Sequence, residues 1–365
     1  MATLLSTIIL ISSLFIPSSL ATTTVVVPSS VQPGPSVPQF VSNATGLDGP
    51  KVHPINGSAY DWWYFDAVAV DGLSSVVVVF YTAAEDGFPF PFSSGNSSVV
   101  LASLQGSFAN GSLFEISVQA TSGIIDTVGN GSRGQWENTG FAWSSNAQAT
   151  EYKLTFDSAD AGIKGSISLQ SVAPAHYPCT PAHANSTLDI LPGVGWANAV
   201  PDANAAIDLE IQGSSLQFQG VGYHDKNWGA TPFIDAVATW YWGHGRLGPY
   251  SIVWYDALSR DGTEYTSSYV AEEGSIISAQ CGGIKVRPTG FNSTYPPTPA
   301  TGHPQGFQID LDLGQLGTVT AEVVSRLVTV DSVEYTRWVG SISGVVGSRN
   351  LTGAASYETF NLEGL

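Results

Sequence analysis

The run "GYHDKNWG", residues 222–229, sets an imidazole, a carboxyl, an ammonium and an indole side by side between two glycines. Charge is scarce elsewhere: Asp, Glu, Lys and Arg make up 12% of the chain, about half the usual share. His224 is the group whose ordinary pKa lies near neutrality. Asp225 could orient it, and Lys226 could polarise an oxygen. These three are candidate catalytic groups. The competing reading is a polar staple between sheets. His224 and Asp225 are consecutive, so on a strand they face opposite sides unless the chain turns at Gly222 or Gly229.

A second run, "TWYWGHGR" (239–246), puts Trp240, Trp242, His244 and Arg246 on one strand face. A buried guanidinium needs a partner and buried indole N–H groups need acceptors. That face reads as an aromatic cavity with a few aimed donors, Arg246 joining the catalytic candidates. In "DWWYFD" (61–66), Asp61, Trp63 and Phe65 point one way and Trp62, Tyr64 and Asp66 the other. Asp61 or Asp66 is expected to pair with Lys226 or Arg246. The candidate cavity walls are Trp62, Trp63, Tyr64, Trp228, Trp240, Trp242, His244 and Trp254.

The elements that must position these groups are strands. Apolar residues alternate in short runs, 39 glycines and 21 prolines punctuate them, and no long stretch has the 3.6-residue period of a helix. The expected fold is all-β, with two antiparallel barrel or sandwich domains and a pocket at or near their seam. Residues 51–232 form the first domain and 233–365 the second, the boundary falling in "GATPFID". Residues 22–50 read as a Pro/Ser/Thr-rich leader without a core of its own. Residues 1–21 carry a short apolar run ending in small residues, as a secretory signal peptide does.

A formal net charge of −18 disfavours nucleic acid and anionic membrane surfaces as partners. No other apolar stretch is long enough for a stable membrane span. Sequons at Asn43, Asn56, Asn96, Asn110, Asn130, Asn185, Asn292 and Asn350 fit a secreted glycoprotein. Cys179 and Cys281, the chain's two cysteines, could pair in an oxidising compartment. No His/Cys/carboxylate spacing suits a metal, and no nucleotide loop or nucleophile elbow occurs, so neither metal nor cofactor is expected.

Taken together, "DWWYFD", the later "GYHDKNWG" and the Trp-rich strand behind it resemble the fungal Diels–Alderase family, which is related to the carotenoid hydratases and other two-domain lipocalin-like proteins. The resemblance extends over most of the chain from about residue 50. It implies a cofactor-free cyclase acting on small hydrophobic polyketide or terpenoid substrates. The secretory signal and sequons look more like the hetero-Diels–Alderases that join a tropolone-derived quinone methide to a humulene-type sesquiterpene than like the decalin-forming members. A decalin-forming Diels–Alderase, an isoprenoid hydratase or dehydratase, and a non-catalytic carrier stay open. Holding two reactants in one orientation can supply up to about 7–11 kcal/mol of a barrier, so little chemistry is asked of side chains.

Overall fold

The computed structural model describes residues 22–92, 98–298, 300–314 and 317–364. The signal-like segment and Asn96 lie outside them. Two antiparallel sheets account for nearly all regular structure. The first holds fifteen strands and runs, in space, from Thr22–Pro28 at one edge to Leu113–Gln119 at the other. Its centre is the long hairpin Val194–Ile211 and Ser214–Gly229, with Tyr60–Ala69 paired beside the latter. Gln212 and Gly213 both take positive φ in the hairpin turn, which matches the right-handed twist of the flanking strands. The second sheet holds nine strands between Val237 and Asn361. It rolls up until Asp256, on Tyr250–Ser259, accepts hydrogen bonds from the Val286 N–H (3.4 Å) and Arg287 Nη1 (2.9 Å).

The segment 22–50, expected to lack a core, instead joins the first sheet. Thr22–Pro28 pairs with Ser122–Val128, and Asp48 sits wholly buried. The break between the sheets falls at Gly229–Val237, where a single helical turn, Phe233–Ala236, bridges them.

Three large apolar clusters follow from strand alternation, beside a small one of Val68, Val221, Val339 and Ala354. Trp63, Phe65 and Trp228 point into the first sheet's hollow. Tyr241, Trp254, Trp338 and Tyr357 fill the second. Between the sheets lies a third cluster that includes Trp62, Tyr64, Trp196, Tyr223, Trp240, Trp242, Tyr255 and Phe360. Strands such as Tyr60–Ala69 are therefore buried along their whole length, one face in a barrel-like core and one in the seam.

Polar clasps cross the seam as well. His244 Nε2 lies 2.9 Å from both oxygens of Asp66. Arg246 forks onto Asp202 through Nε (2.9 Å) and Nη2 (2.6 Å). Cys179 and Cys281 are disulfide-bonded across 102 residues, tying the first sheet's cap to the last residue of Ser275–Cys281. Removing both thiols (Cys179→Ala/Cys281→Ala) is expected to lower unfolding free energy by roughly 2–5 kcal/mol. Urea midpoints of the two proteins measure it, and equal midpoints would remove the disulfide as a source of stability. Of the sequons, Asn43, Asn110, Asn185, Asn292 and Asn350 are exposed, and Asn56 and Asn130 are half-buried.

Candidate active site

The seam cluster does not close completely. It surrounds a cavity of about 390 Å³. Trp62 and Tyr64 come from the outward face of Tyr60–Ala69, Trp240 and Trp242 from the matching face of Val237–Leu247, and Phe88, Phe90 and Phe360 fill in between. Tyr64 and Trp242 meet edge-on at 5.3 Å, as do Trp240 and Phe360 at 4.9 Å. Edge-to-face packing of this kind fixes ring orientation, so the hollow has stiff walls.

Polar residues interrupt them, Ser103, Gln105, Glu115, Ser117, Asn227 and Ser332 among them, and two buried sets stand out. The first is Asp225. The strand Ser214–Gly229 runs straight through it, so Tyr223, Asp225 and Asn227 face the seam while His224, Lys226 and Trp228 face the first core. Asp225 Oδ2 accepts from Trp196 Nε1 and from the Tyr223 hydroxyl, each at 2.7 Å, and the carboxyl lines the cavity. Burial pushes its pKa up to about 7, although those two hydrogen bonds favour the ionised form. Near neutrality the group can therefore hold a proton or give one up.

The second is built on Tyr335–Val346 and Arg349–Asn361, where Arg337 and Glu358 are register partners. Arg337 Nε lies 3.4 Å from Glu358 Oε2, and Nη1 lies 3.3 Å from Gln105 Oε1. The Tyr335 hydroxyl donates to the same Glu358 oxygen. Burial drives the Glu358 pKa up and Arg337 opposes it. On the neighbouring strands of the same sheet the Trp240 indole N–H and the Tyr255 hydroxyl are buried without a hydrogen-bond partner among the described residues.

Of the residues anticipated from sequence, Trp62, Tyr64, Asp225, Trp240 and Trp242 line the cavity. The others do not, and each has a physical reason. His224 is turned inward. Its ring stacks on Phe65 at 3.8 Å, Nδ1 meets the Tyr64 carbonyl (2.8 Å) and Nε2 meets Asp48 (2.9 Å). Lys226 is sealed in the same core, bound to Asp61 and lying 4.1 Å from the Trp63 ring centroid. Trp63 and Trp228 spend their N–H groups on the carbonyls of Asp48 (2.8 Å) and Gln39 (2.9 Å). Trp254 is tucked over Gly243, where a Cβ would come within 2.3 Å of its ring. His244 and Arg246 lie on the expected face but serve as the seam clasps.

Arg337, Glu358 and Tyr335 escaped the sequence reading. A signal was present: "YTRWVG" (335–340) and "SYETFN" (356–361) each set one charge among aromatics in a chain with only 12 basic residues. What alternation could not supply was that these strands are neighbours with those charges opposite each other.

Two rolled antiparallel sheets enclosing an aromatic hollow at their seam define the two-domain lipocalin-like class. Within it, the chain belongs to the Diels-Alderase-like family, whose family model matches residues 26–286. It is 35% identical over 333 residues to the quinolone epoxide rearrangement protein asqO of Emericella nidulans, covering 90% of each chain. To the Diels-Alderase ucsH of Acremonium sp. it is 25% identical over 250 residues, covering 64% of this chain and 58% of that one. The crystal structure of CghA with Sch210972 superposes with a TM-score of 0.75 at 16% identity, over 93% of this chain and 98% of the other. Family and relatives support a function of Diels-Alderase type, that of a pericyclase or isomerase. No helix among the described residues is long and apolar enough to cross a membrane.

Proposed function

We propose that the seam cavity carries out a cofactor-free, acid-started rearrangement of a small oxygenated metabolite, with quinolone epoxides as the substrate class. The observation that carries this reading is Asp225, a carboxyl with its pKa raised to about 7 on the wall of a hollow rich in aromatic rings. It gives its proton to the epoxide oxygen, and one C–O bond breaks toward that oxygen. The carbon left electron-poor sits among the faces of Tyr64, Trp240 and Trp242, which attract positive charge. A neighbouring bond migrates to it, a carbonyl forms at the oxygen-bearing carbon, and the hydroxyl proton returns to Asp225. Substrate and product are isomers. Similarity to a quinolone epoxide rearrangement protein over nine-tenths of the chain supports the substrate class.

The test is direct. A racemic quinolone epoxide incubated with the protein is expected to give one product enantiomer faster than buffer does. Equal rates with a racemic product would remove the reading. Trp242→Ala opens the wall by one indole. It is expected to raise KM roughly 10- to 100-fold, from the 1.5–3 kcal/mol of a buried aromatic contact, and to erode the product ratio, as read by chiral chromatography.

A second reading uses the same proton differently. A tropolone-derived carbinol loses its hydroxyl as water, and the quinone methide so formed adds across a double bond of a humulene-type sesquiterpene. The signal-like segment and the sequons favour it through the resemblance to hetero-Diels–Alderases. A single stereoisomer of the adduct, formed while the quinolone epoxide is left untouched, would select this reading. Residence in the secretory pathway is part of the proposal under either substrate. The disulfide and the exposed sequon side chains support it, and endoglycosidase treatment of the natively expressed protein, with no shift in mass, would count against it.

A further inference from the structure

Arg337 is a buried cation whose hydrogen-bonding capacity is largely unspent. Its side chain is 6% exposed. A guanidinium has five N–H donors and is always charged. Here Nε and Nη1 make long contacts, at 3.4 and 3.3 Å, and Nη2 has no hydrogen-bond partner among the described residues. Two tyrosine faces, Tyr64 and Tyr335, lie 5.4 and 5.2 Å from its Cζ. Compare Arg246, outside the cavity, which closes a short two-point fork on Asp202 and adds Asn204 and the Ala203 carbonyl. The same chain thus satisfies one arginine fully and leaves the cavity arginine partly open.

The carboxylate beside it is a poor counter-ion. Glu358 stands at the edge of hydrogen-bond range, shares the contacting oxygen with the Tyr335 hydroxyl, and is pushed by burial toward its neutral form. Charge-assisted pairs with a guanidinium are strongest when short and two-point, and the single 3.4 Å contact to Glu358 leaves Arg337 able to take a closer anion arriving in the hollow. Among the other acids near the cavity, Glu115 is exposed on its lining and takes the Gln105 amide N–H at 2.9 Å. Asp225 is raised to about 7 by burial, and Asp66 is held by His244 and the Tyr64 hydroxyl (2.9 Å).

We propose that Arg337 is a substrate-binding residue for an ionised ring oxygen, so that the guests of this cavity are planar molecules carrying an acidic enol or phenol. This rests on the seam cavity being the substrate site, and it specifies which substrates that site accepts. Arg337 takes the anion through its free Nη2 edge, while Asp225 acts at a different atom of the guest.

The probes are 4-nitrophenol and its methyl ether, 4-nitroanisole, which share shape but differ in the ability to ionise. Neither can rearrange, so the result is independent of turnover. At a pH above the phenol's own pKa, the phenolate is expected to bind about tenfold or more tightly than the ether in calorimetry. Arg337→Gln is expected to abolish that preference and leave ether binding within about twofold. With wild-type protein alone, the visible absorption of bound 4-nitrophenol should report the anion at pH values where the free compound is neutral, a readout that needs no variant to fold. Equal affinity for phenol and ether, a preference that survives in Arg337→Gln, a bound spectrum of the neutral phenol, or no binding of either probe overturns the proposal. Turnover of a quinolone epoxide alongside any of those results would leave the proposed reaction standing and remove only the anion site.

Discussion

Asp225→Asn is expected to lower kcat about 10²- to 10⁴-fold, the range for loss of a positioned general acid, while changing KM little. The substitution is nearly isosteric. The carboxamide oxygen can take the place of Oδ2 and keep the bonds from Trp196 and Tyr223, so packing at the cavity wall survives and what disappears is the transferable proton. The pH profile separates this role from a structural one. The protonated carboxyl is the working form, so kcat in the wild type should fall as pH rises through about 7, and that limb should be missing from the residual activity of Asp225→Asn. Stability has its own sign. The folded chain keeps the proton and the unfolded chain gives it up above the ordinary value of 3.8, so Asp225 makes the fold less stable as pH rises from 3.8 to about 7. Asp225→Asn should flatten that part of the melting-temperature curve. A variant with undiminished kcat, or one that loses rate but keeps the alkaline limb, would take the acid role away from Asp225.

Lys226→Met is expected to destabilise the protein by about 3–5 kcal/mol, the usual result of breaking a buried ion pair. Lys226 and Asp61 are each 1% exposed in their side chains, and Asp61 also accepts from the Lys51 N–H at 2.6 Å. Without the ammonium, Asp61 must either stay charged in an apolar core or take up a proton. Desolvation already pulls its pKa upward, and Lys226 is the main force opposing that. The double variant Asp61→Asn/Lys226→Met removes both charges and should recover a large part of the loss in urea unfolding. Turnover by the folded fraction should stay near wild type, because the ammonium lies on the far side of the strand from the cavity. A lower kcat with unchanged stability would put Lys226 back among the catalytic groups.

The two substitutions sit on adjacent residues and are expected to do opposite things, one removing chemistry and the other removing stability. The sequence contained the reason. Strand alternation sends Asp225 and Lys226 to opposite faces, and Trp62 and Tyr64 opposite to Trp63 and Phe65. What alternation alone cannot say is which face meets a sealed core and which meets a hollow, because both are apolar. Scarcity of charge marked Asp61 and Asp66 as needing partners but left Lys226 and Arg246 both open to them; the fold gives Lys226 to Asp61 and Asp66 to His244. Arg246 was legible as needing a carboxylate, and its actual partner, Asp202, lies in a stretch that carried no motif.

By itself, then, the amino-acid order determined the all-β architecture and the rows of side chains that travel together. These follow from the two-residue period and from glycine and proline punctuation, which are local properties of the backbone. Only the tertiary structure decided that His224 is core and Asp225 is wall, that the segment 22–50 completes the first sheet and delivers Asp48 to His224, and that Arg337 and Glu358 face the same space as Trp240. Those outcomes depend on pairing between strands far apart in the chain and on how two curved sheets dock. A cavity is the volume such docking leaves unfilled, and no single stretch of sequence encodes it.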